Sequence, residues 1–521
     1  MTASSPDTAE NKRFTHVARS SFLIAAFFGL DKLLGLFRQI VIGRQFGVGA
    51  ELDVFHAANN LPDLLFALIS GGALAVAFIP VLSAAMEKDG RAALWGLFSR
   101  VANIAFIITG TLALILALFA DEVVRSELGV APGFTPERQQ LVANLMRLNL
   151  LATLIFSLSG LVSAGLQANQ HFLLPAAAPV LYDLGQIFGA LVLAPETPYQ
   201  VAGAALPALD LGVHGLVYGV ILGAALHLGI QIPGLIKFNF QWEPQLGLDH
   251  PGVRRVARLM GPRILTIGAF QLSFVVQDNL ASRLDIGSVT GLAYGWLIMQ
   301  VPETVIGTAI GIAILPTLSE HFARGDDDGF ERSVSRAVRV MIALTLPAAL
   351  LMAVTLRPLV QTAFNFSVDG TQVVVWAARA YLLGLVGHSV LEVAARSFYA
   401  RQDARTPLMT TAVNTAAFIA LSLLLFRRLG SAGIALSNSL AFSLDAALLL
   451  FLLARGFPSV LRQGRTWLRI GLGSALAAGV AYAIMTFSPA SPLLTAVAAL
   501  GIGGLVALAF LHPEVREVTD L

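Results

Sequence analysis

The sequence predicts an all-α, polytopic membrane protein with about 14 transmembrane helices, and three observations support this fold class. Hydrophobic residues make up 56% and charged residues 13% of the 521 positions, and the mean hydropathy is +0.75. A soluble domain carries about a quarter charged residues, so this composition excludes a soluble, secreted, disordered or fibrous protein. Apolar runs long enough to span a bilayer recur along the chain, and basic residues concentrate in alternate loops.

Net charge and cysteine content narrow the function classes further. The formal net charge is only +2, which gives no reason to expect a nucleic-acid partner. The chain has no cysteine, which excludes disulfides, thiolate metal ligands and cysteine nucleophiles. Residues 21–30 have the length of a signal-peptide core, but Asp31 and Lys32 follow them instead of a small-residue cleavage site. This run is therefore predicted to begin the first membrane helix.

The predicted membrane segments follow from cutting the chain at loops that contain charged residues, Pro or Gly. Fourteen segments result, with these limits: 20–44, 54–84, 92–119, 139–166, 172–194, 211–235, 259–281, 288–318, 333–355, 373–399, 407–426, 430–454, 466–488 and 491–511.

The distribution of basic residues tests this segmentation. With the N-terminus in the cytoplasm, 23 Lys and Arg residues fall by count in inner loops or in the inner parts of segments, and six fall in outer loops. This asymmetry is the one that the positive-inside rule requires of short loops, and a missed or extra helix would scramble it. It predicts that both termini lie in the cytoplasm. The remaining five basic residues lie inside segments and are assigned to neither side: Lys32, Arg38, Arg44, Arg147 and Arg379.

The two halves of the chain carry three pairs of matching motifs in the same order. The pairs are LPDLLFALISGGALAVAFIPVLS from Leu61 with VPETVIGTAIGIAILPTLS from Val301, QANQHFLLP with YARQDARTP (ending at Pro175 and Pro407), and GVHGLVYG from Gly212 with GSAGIALS from Gly430. Together they predict two pseudo-symmetric six-helix lobes around a central cavity, followed by two extra helices. The predicted divisions are an N-terminal tail (1–19), a first lobe (20–236), a cytoplasmic linker (237–258), a second lobe (259–455), the two extra helices (456–512) and a C-terminal tail (513–521).

Ionisable residues inside the first segment predict an anion site. Asp31, Lys32, Arg38 and Arg44 lie there, and Asp31 and Arg38 fall on nearly one face of an ideal helix. Their net charge suits a phosphate or pyrophosphate, whose oxygens arginine binds in a bidentate manner. The alternative is an internal Asp31–Lys32 pair, with Arg44 reaching the membrane surface.

Other polar residues inside segments are open to structural interpretations. Asp53, which opens segment two, suits an N-terminal cap of that helix. Arg147 of segment four and Asp183 of segment five suit an ion pair between the two helices.

Segments seven and ten carry further polar residues. Gln277 and Asp278 of segment seven are candidates to line the cavity. His388 and Glu392 of segment ten lie on one face, where a hydrogen-bond pair with other helices is favoured over a proton or cation relay.

Catalytic motifs are absent from the sequence. It has no HExxH, GxSxG, Walker or dinucleotide-binding motif, so we expect no enzyme, no metal and no cofactor. The acidic run Asp326–Asp328 lies in a predicted cytoplasmic loop, and a solvated loop is favoured over a metal site.

The sequence resembles the MurJ (MviN) lipid II flippases of the multidrug/oligosaccharidyl-lipid/polysaccharide exporter superfamily over most of its length. The stretches that carry the resemblance are LGLFRQIVIGRQFGVGAELDVFHAANNLPDLL from Leu34, FIPVLSAAME from Phe78, the region from Asp278 to ILPTLSEHFA, and RSFYARQDARTP from Arg396.

This resemblance implies a plasma-membrane flippase. Its two lobes would form a V around a cavity for undecaprenyl-pyrophosphate-linked peptidoglycan precursor, and the last two helices would form a groove for the lipid tail. Transport would depend on an ion, a proton or the membrane voltage rather than on ATP, and cell-wall synthesis proteins are candidate partners. The family's pyrophosphate contacts in helix one fall on Lys32 and Arg38, and its acidic residue at the start of helix two falls on Asp53.

The sequence also departs from the family pattern. Basic residues of the family are replaced at Phe66, Ala67, Leu297, Glu392 and Asn60, and acidic residues at Gln39 and Gly71. The cavity is therefore predicted to be less cationic, with Arg147, Arg379 and Gln277 as candidate replacements.

These departures leave three alternatives to a lipid II flippase. The first is a flippase for another polyprenyl-linked saccharide. The second is a non-transporting scaffold of envelope synthesis, and the third is an intramembrane enzyme that acts through Asp326–Asp328.

Overall fold

The structure is a computed structural model that describes residues 6–69, 72–201, 203–461 and 464–517. Gly71, one of the positions that depart from the family pattern, lies outside the described residues, as do Arg462 of the predicted inner loops and positions 1–5 and 518–521 of the two predicted tails. The chain divides into two compact units. The first comprises residues 1–46, 57–129 and 135–268, and the second comprises 47–56, 130–134 and 269–521.

Helices account for nearly all of the described structure, which confirms the all-α fold class. The first nine are α1 (Pro6–Phe46), α2 (Ala50–Ile69), α3 (Gly72–Leu118), α4 (Ala120–Arg125), α5 (Pro136–Ala168), α6 (Leu173–Phe188), α7 (Gly212–Gly229), α8 (Ile232–Lys237) and α9 (Pro251–Ser282). The other eight are α10 (Ser288–Pro302), α11 (Ala309–Arg324), α12 (Asp327–Phe364), α13 (Val368–Leu383), α14 (Leu385–Ala400), α15 (Arg405–Ala454), α16 (Gly464–Phe487) and α17 (Pro492–Arg516).

Short irregular elements complete the chain. Two π-helical turns (Gly189–Leu193 and Glu303–Thr308) continue α6 and α10, and one 3₁₀ turn (Pro458–Val460) follows α15. The two-residue strands β1 (Gln200–Val201) and β2 (Ala204–Ala205) form a small antiparallel hairpin. Because α1 begins at Pro6, it extends into the region predicted as the N-terminal tail.

Two helices are too long for a single crossing and bend at a glycine. With 47 and 50 residues, α3 and α15 would each be about 70–75 Å long if straight, more than twice the thickness of a bilayer core. Gly90 (φ 82°) and Gly430 (φ 60°) have left-handed backbone conformations that glycine adopts without a steric penalty. Predicted segments eleven and twelve are thus the two parts of α15, and segments two and three meet at Gly90.

The number of membrane spans is broadly consistent with the predicted fourteen. By length and composition, ten helical runs among the described residues can cross a membrane, or eleven when the bent pair α13 and α14 counts as one span. One of these runs, Arg405–Ala454, contains two predicted segments. The first predicted segment lies within α1 and is not one of these runs.

The internal repeat is confirmed by backbone geometry at its most specific motif. In the first unit, Gln170 has φ 60°, and the N–H of His171 donates to the carbonyl of Leu166 at 2.9 Å. In the second unit, Gln402 at the equivalent position also has φ 60°, and the N–H of Asp403 donates to the carbonyl of Phe398 at 3.0 Å. Both α5 and α14 therefore end in the same Schellman motif.

The motif of the second unit includes a cap that the first unit lacks among its described bonds. The Asp403 carboxylate accepts hydrogen bonds from the backbone N–H groups of Arg405 and Thr406, at 2.9 and 3.1 Å, and from the Thr406 hydroxyl at 2.6 Å. These bonds lower the pKa of Asp403 and cap the start of α15. The RQDARTP sequence is thus explained by helix termination and initiation.

Glycines allow α6 and α7 to approach very closely in the first unit. A Cβ atom at Gly189 would lie 2.6 Å from the Cα of Gly219, and one at Gly185 would lie 2.4 Å from the Cα of Gly223. Small residues at every fourth position let two membrane helices pack backbone to backbone. The motif from Gly212, which supplies one of these faces, is therefore explained by packing.

The last two helices pack against α12 in the second unit. Leu351 of α12 contacts a face of alanines on α16 and α17, among them Ala477 and Ala499. Arg469 of α16 forms an ion pair with the buried Glu514 of α17, and Arg339 of α12 lies 3.1 Å from Glu517. The two extra helices are thus attached to α12 by apolar packing and by these ion pairs.

The contact between α6 and α7 gives a test of the fold. We expect Gly219→Leu to lower the free energy of unfolding by at least about 2 kcal/mol, because overpacking of a close contact forces the backbones apart. Thermal unfolding of the purified protein in detergent measures this effect. Gly229→Leu is the matched control, because a Cβ at Gly229 meets no atom within 4 Å. Equal melting temperatures of the two variants would contradict the proposed packing role.

Candidate functional site

Lys32, on α1, forms an ion pair with its neighbour. Its Nζ lies 3.1 Å from the Asp31 carboxylate, and 60% of the Lys32 side chain is exposed, compared with 20% for Asp31. The ring of Phe28 lies 5.1 Å from the ammonium group. The internal pair that the sequence left open is therefore present, and binding of an anion by Lys32 stays a prediction.

Arg38, two turns further along α1, is held by an aspartate of α6. Its Nη1 donates to Oδ1 of Asp183 at 2.7 Å, and the two side chains are only 17% and 5% exposed. The ring of Tyr182 lies 5.7 Å from the guanidinium carbon. The Nε of Arg38 is buried and has no hydrogen-bond partner among the described residues. The guanidinium is therefore paired but still has donor capacity.

The space around this pair depends on a glycine of α1. A Cβ at Gly35 would lie 3.5 Å from Oδ2 of Asp183, so the helix face beside the carboxylate carries no side chain. The pairing of Arg38 with Asp183 was not predicted from the sequence. The available signal was that a buried aspartate inside a membrane segment requires a cation, and Arg38 lies on the helix that packs against α6.

Arg147 forms a different ion pair from the one considered in the sequence analysis, where Asp183 was its proposed partner. Its Nη2 lies 2.6 Å from the carboxylate of Asp121 in α4, and its Nε donates to the carbonyl of Ala117 at 3.0 Å. The prediction was wrong because α5 packs against α3 and α4 at this level, and Asp183 is engaged by Arg38. The hydrogen bond from Arg147 lowers the pKa of Asp121.

Asp53 caps a helix, but the helix is α10. Its Oδ2 accepts from the N–H of Gly287 at 2.6 Å, and its Oδ1 accepts from the N–H and the hydroxyl of Thr290, both at 2.7 Å. The side chain is 2% exposed, and the three donors lie at the start of α10, where a negative charge is favoured. Both carboxylate oxygens are thus occupied within the second unit.

Arg44 lies in the last turn of α1 and is exposed. It is six residues beyond Arg38, which corresponds to about 9 Å along the helix axis. The structure therefore does not bring it into the cluster formed by Lys32, Arg38 and their carboxylates.

The predicted polar residues of segments seven and ten are mostly buried in the second unit. Oε1 of Gln277 accepts a hydrogen bond from the hydroxyl of Tyr381 at 2.7 Å, and Asp278 is 7% exposed. Nε2 of His388 lies 3.0 Å from the side-chain oxygen of Asn438 on α15. This contact agrees with the favoured interpretation of an interhelical hydrogen bond.

Glu392 forms an ion pair with Arg396, one turn further along α14. It therefore does not share a contact with His388. Its place in a cavity, like that of Gln277, Asp278 and Arg147, stays a prediction.

Positions where the sequence departs from the family pattern make apolar contacts. Phe66 packs on Phe156, with the ring centroids 5.7 Å apart in the first unit. Ala67 and Leu297 are partly buried on α2 and α10. These positions carry no charge, so the cations of α1 are not supplemented there.

The acidic run before α12 is a helix cap. Asp326 accepts a hydrogen bond from the N–H of Gly329 at 2.8 Å, which lowers its pKa, and it lies 2.8 Å from Nδ1 of His321. Asp327 and Asp328 occupy the first helical turn. No group of three or more His, Asp or Glu side chains in the described ranges is arranged to hold a metal ion.

The cluster on α1 thus consists of two cations, each paired with a carboxylate. An anion that bound there would have to replace one of these carboxylates, since a charged guanidinium or ammonium is costly to leave unpaired in a low-dielectric environment.

Comparisons with known proteins identify the family. A family model described as "Lipid II flippase MurJ" matches residues 42–499. The lipid II flippase MurJ of Burkholderia cenocepacia is 31% identical over 469 residues, which cover 87% of this chain and 86% of that protein. The probable lipid II flippase MurJ of Vibrio cholerae is 26% identical over 441 residues, which cover 83% and 82% of the two chains.

Solved structures support the same fold. The structure described as "Lipid II flippase MurJ, inward closed conformation" matches with a TM-score of 0.78 at 22% identity, covering 96% of this chain and all of that one. An inward-facing transporter of the multidrug resistance MATE family, from the MOP superfamily, matches with a TM-score of 0.67 at 15% identity, covering 83% and 96%. Because the family model and the Burkholderia relative each extend over most of the chain, this multi-pass membrane protein belongs to the lipid II flippase MurJ family.

Proposed function

We propose that this protein transports lipid II, the undecaprenyl-pyrophosphate-linked peptidoglycan precursor, from the inner to the outer face of the bacterial plasma membrane. The observation that carries the proposal is the family match over residues 42–499, joined to a pair of cations within α1. Transport proceeds by alternating access and involves no catalysis. The lipid-linked saccharide and the surrounding membrane lipids are its ligands.

The proposed contact with the substrate is an exchange of anions on α1. In the absence of substrate, Asp31 and Asp183 neutralise Lys32 and Arg38. The pyrophosphate replaces these carboxylates, and each charge-assisted hydrogen bond contributes about 1.5–3 kcal/mol. Arg44, nearer the end of α1, contacts the substrate at a different stage of its passage.

Asp53 acts indirectly in this proposal. Its carboxylate is used by three donors at the start of α10, which supports a role in holding the second unit together. Gln277, Asp278, Arg147 and Glu392 are proposed to line the path with polar groups.

Orientation and coupling complete the proposal. The excess of basic residues in alternate loops supports cytoplasmic N- and C-termini. The lobes extend over 20–236 and 259–455, joined by the linker 237–258, and residues 456–512 form the groove for the lipid tail. A monovalent ion, a proton or the membrane voltage drives the cycle, in company with cell-wall synthesis proteins.

A second candidate is a flippase for another polyprenyl-linked saccharide. The observation that favours it is the apolar character of Phe66, Ala67 and Leu297, together with the carboxylates that already neutralise Lys32 and Arg38. A non-transporting scaffold is the third candidate. The intramembrane enzyme loses its support, because Asp326 is used as a helix cap.

Complementation tests the proposed transport. We expect the native protein to restore growth of a bacterium depleted of its own lipid II flippase, and Lys32→Ala/Arg38→Ala to fail. Arg427→Ala/Arg428→Ala, which removes two exposed arginines of α15, is the matched control and should restore growth. Membrane levels of all three proteins are compared by immunoblot.

The result distinguishes the candidates. Growth supported equally by the native protein and by Lys32→Ala/Arg38→Ala would contradict the anion site. Failure of every form at equal membrane levels, with binding of a different polyprenyl-linked saccharide, would favour the second candidate.

Anion exchange makes a separate prediction for Asp183→Asn. We expect undecaprenyl pyrophosphate to bind the purified variant about tenfold more tightly, because a neutral side chain no longer competes for Arg38. Without lipid, the variant should melt at a lower temperature, since Arg38 loses its counter-ion. Glu320→Gln is the matched control: it breaks the exposed ion pair with Arg324 and should leave the lipid affinity unchanged. Weaker binding by Asp183→Asn would refute the exchange.

Asp53→Asn separates a structural role from a substrate contact. We expect the free energy of unfolding to fall by about 1–2 kcal/mol, as when a helix cap is lost. Thermal unfolding measures the change, and Glu51→Gln, an exposed acid in the first turn of α2, is the control. An unchanged melting temperature with lost transport would instead indicate direct contact with the substrate.

A further inference from the structure

The internal repeat provides a comparison between Arg147 in the first unit and Arg379 in the second. These two arginines lie equally far, by count on the sequence, before Pro175 and Pro407 of the matching motifs. Each anchors its guanidinium in the same way: Nε of Arg147 donates to the carbonyl of Ala117 at 3.0 Å, and Nε of Arg379 to the carbonyl of Ala353 at 2.9 Å.

The remaining donors of Arg147 are satisfied by its own unit. Nη2 binds the carboxylate of Asp121 at 2.6 Å, and Nη1 donates to the side-chain oxygen of Asn144 at 3.1 Å. Asp121 comes one helical turn after Ala117, and Asn144 comes three residues before Arg147. The guanidinium therefore has an acceptor on each of its three nitrogens.

The equivalent acceptors of Arg379 are replaced by groups that cannot accept. One turn after Ala353 stands a second arginine, Arg357, and three residues before Arg379 stands Trp376. The Trp376 ring lies 5.5 Å from the guanidinium carbon of Arg379. Arg357 is exposed, and its positive charge acts on Arg379. Among the described residues, neither arginine has a carboxylate partner. Where the first unit has an ion pair between Arg147 and Asp121, the second unit therefore has two arginines.

Arg379 and Trp376 line a cavity of about 940 Å³. Most of its wall is apolar, with Val373, Leu383 and Leu436 among the contributors. The wall comes from α12, α13, the turn before α10 and the bend of α15, all of which belong to the second unit. A site of this composition suits an amphipathic ligand with one anionic group.

Two carboxylates also line the cavity, and their position restricts the ligand. Asp369 is ten residues before Arg379 on α13, about 15 Å away along the helix axis, and Asp285 belongs to the turn before α10. At that distance Asp369 leaves Arg379 unneutralised, and no ion pair joins Asp285 to either arginine among the described residues. The two carboxylates would repel a second phosphate and can accept hydrogen bonds from hydroxyl groups.

We propose that Arg357 and Arg379 bind the phosphate group of an anionic membrane phospholipid, whose acyl chain occupies the apolar part of the cavity. One guanidinium group can bind phosphate through two parallel N–H···O hydrogen bonds, and basic pockets between membrane helices are sites for lipid headgroups. Trp376 suits the border between headgroup and acyl chain. The apolar wall favours a lipid over free phosphate, and the distant carboxylates favour a hydroxyl-bearing headgroup such as glycerol. This site does not depend on the transported substrate.

The repeat also supplies the variant that tests the site. Arg357→Asp restores the arrangement of the first unit, where Asp121 stands in this position, so the variant should fold and form an ion pair with Arg379. We expect the full-length protein in detergent to bind dioleoyl-phosphatidylglycerol, counted by native mass spectrometry. Arg357→Asp should weaken that binding about tenfold or more, the effect of losing a charge-assisted hydrogen bond. Arg357→Lys should retain most of it.

Two further variants distinguish a specific lipid-binding site from a general effect of positive charge on lipid binding. Arg427→Asp makes the same change of charge at an exposed position of α15 and should leave the affinity within about twofold of the native value, since the charge that acts on Arg379 is that of Arg357. Arg357→Ala removes the cation without adding an anion and should also weaken binding. Melting temperatures of all variants confirm that they fold.

Each outcome decides the proposal. Selective loss in Arg357→Asp and Arg357→Ala supports it. Native affinity in both, or an equal loss in Arg427→Asp, overturns it. If dioleoyl-phosphatidylcholine binds as tightly as phosphatidylglycerol, the proposed preference for an anionic headgroup is wrong. If inorganic phosphate stabilises the protein and no lipid binds, the proposal that the ligand is a lipid is wrong.

Discussion

A charge inside a membrane protein must have a partner, and this constraint accounts for much of the polar structure described here. The energy needed to remove an ion from water is recovered only when an opposite charge or several hydrogen bonds replace the solvent. Arg38 with Asp183, Lys32 with Asp31, and Arg147 with Asp121 all satisfy this requirement within the first unit. Asp53 satisfies it differently, by accepting three hydrogen bonds at the positive end of α10. Except for Lys32 with Asp31, which are neighbours on α1, each of these contacts also connects two helices.

The same constraint shapes how such a protein can handle an anionic substrate. A site made of unpaired arginines would attract phosphate strongly but would be costly to maintain when empty. A site in which carboxylates hold the cations avoids that cost and binds only by exchange, so affinity is reduced by the strength of the pairs already present. A transporter benefits from moderate affinity, because the substrate must also leave.

Much of the fold was predictable because it depends on local properties of the sequence. Segment length follows from bilayer thickness, and the repeat is visible in the spacing of Pro175 and Pro407. The partners of individual side chains were harder to predict from the sequence. The sequence suggested Asp183 as the partner of Arg147, whereas the observed partner, Asp121, depends on how α5 packs against α3 and α4.

Asp53 shows a second limit of sequence reasoning. The sequence predicts that Asp53 caps α2, because an acid at a helix start is typical of a cap, but this was wrong, since its carboxylate caps α10. Its partner α10 is more than two hundred positions away, at Gly287 and Thr290, and no periodicity reports such a contact. The Schellman motif at Gln170 and Gln402 was visible in the sequence only as a pair of similar segments. Its left-handed backbone conformation gives a structural reason for their similarity.

The glycine contact between α6 and α7 has a mechanical consequence. Where backbones touch directly, at Gly185, Gly189, Gly219 and Gly223, no flexible side chain lies between the helices to absorb displacement. If α6 slid along α7, residues that carry a Cβ atom would collide with the backbone of the other helix. The two helices therefore move as one rigid unit. A conformational cycle can carry this pair of helices as one piece, and the bending that it requires must occur in segments with looser packing.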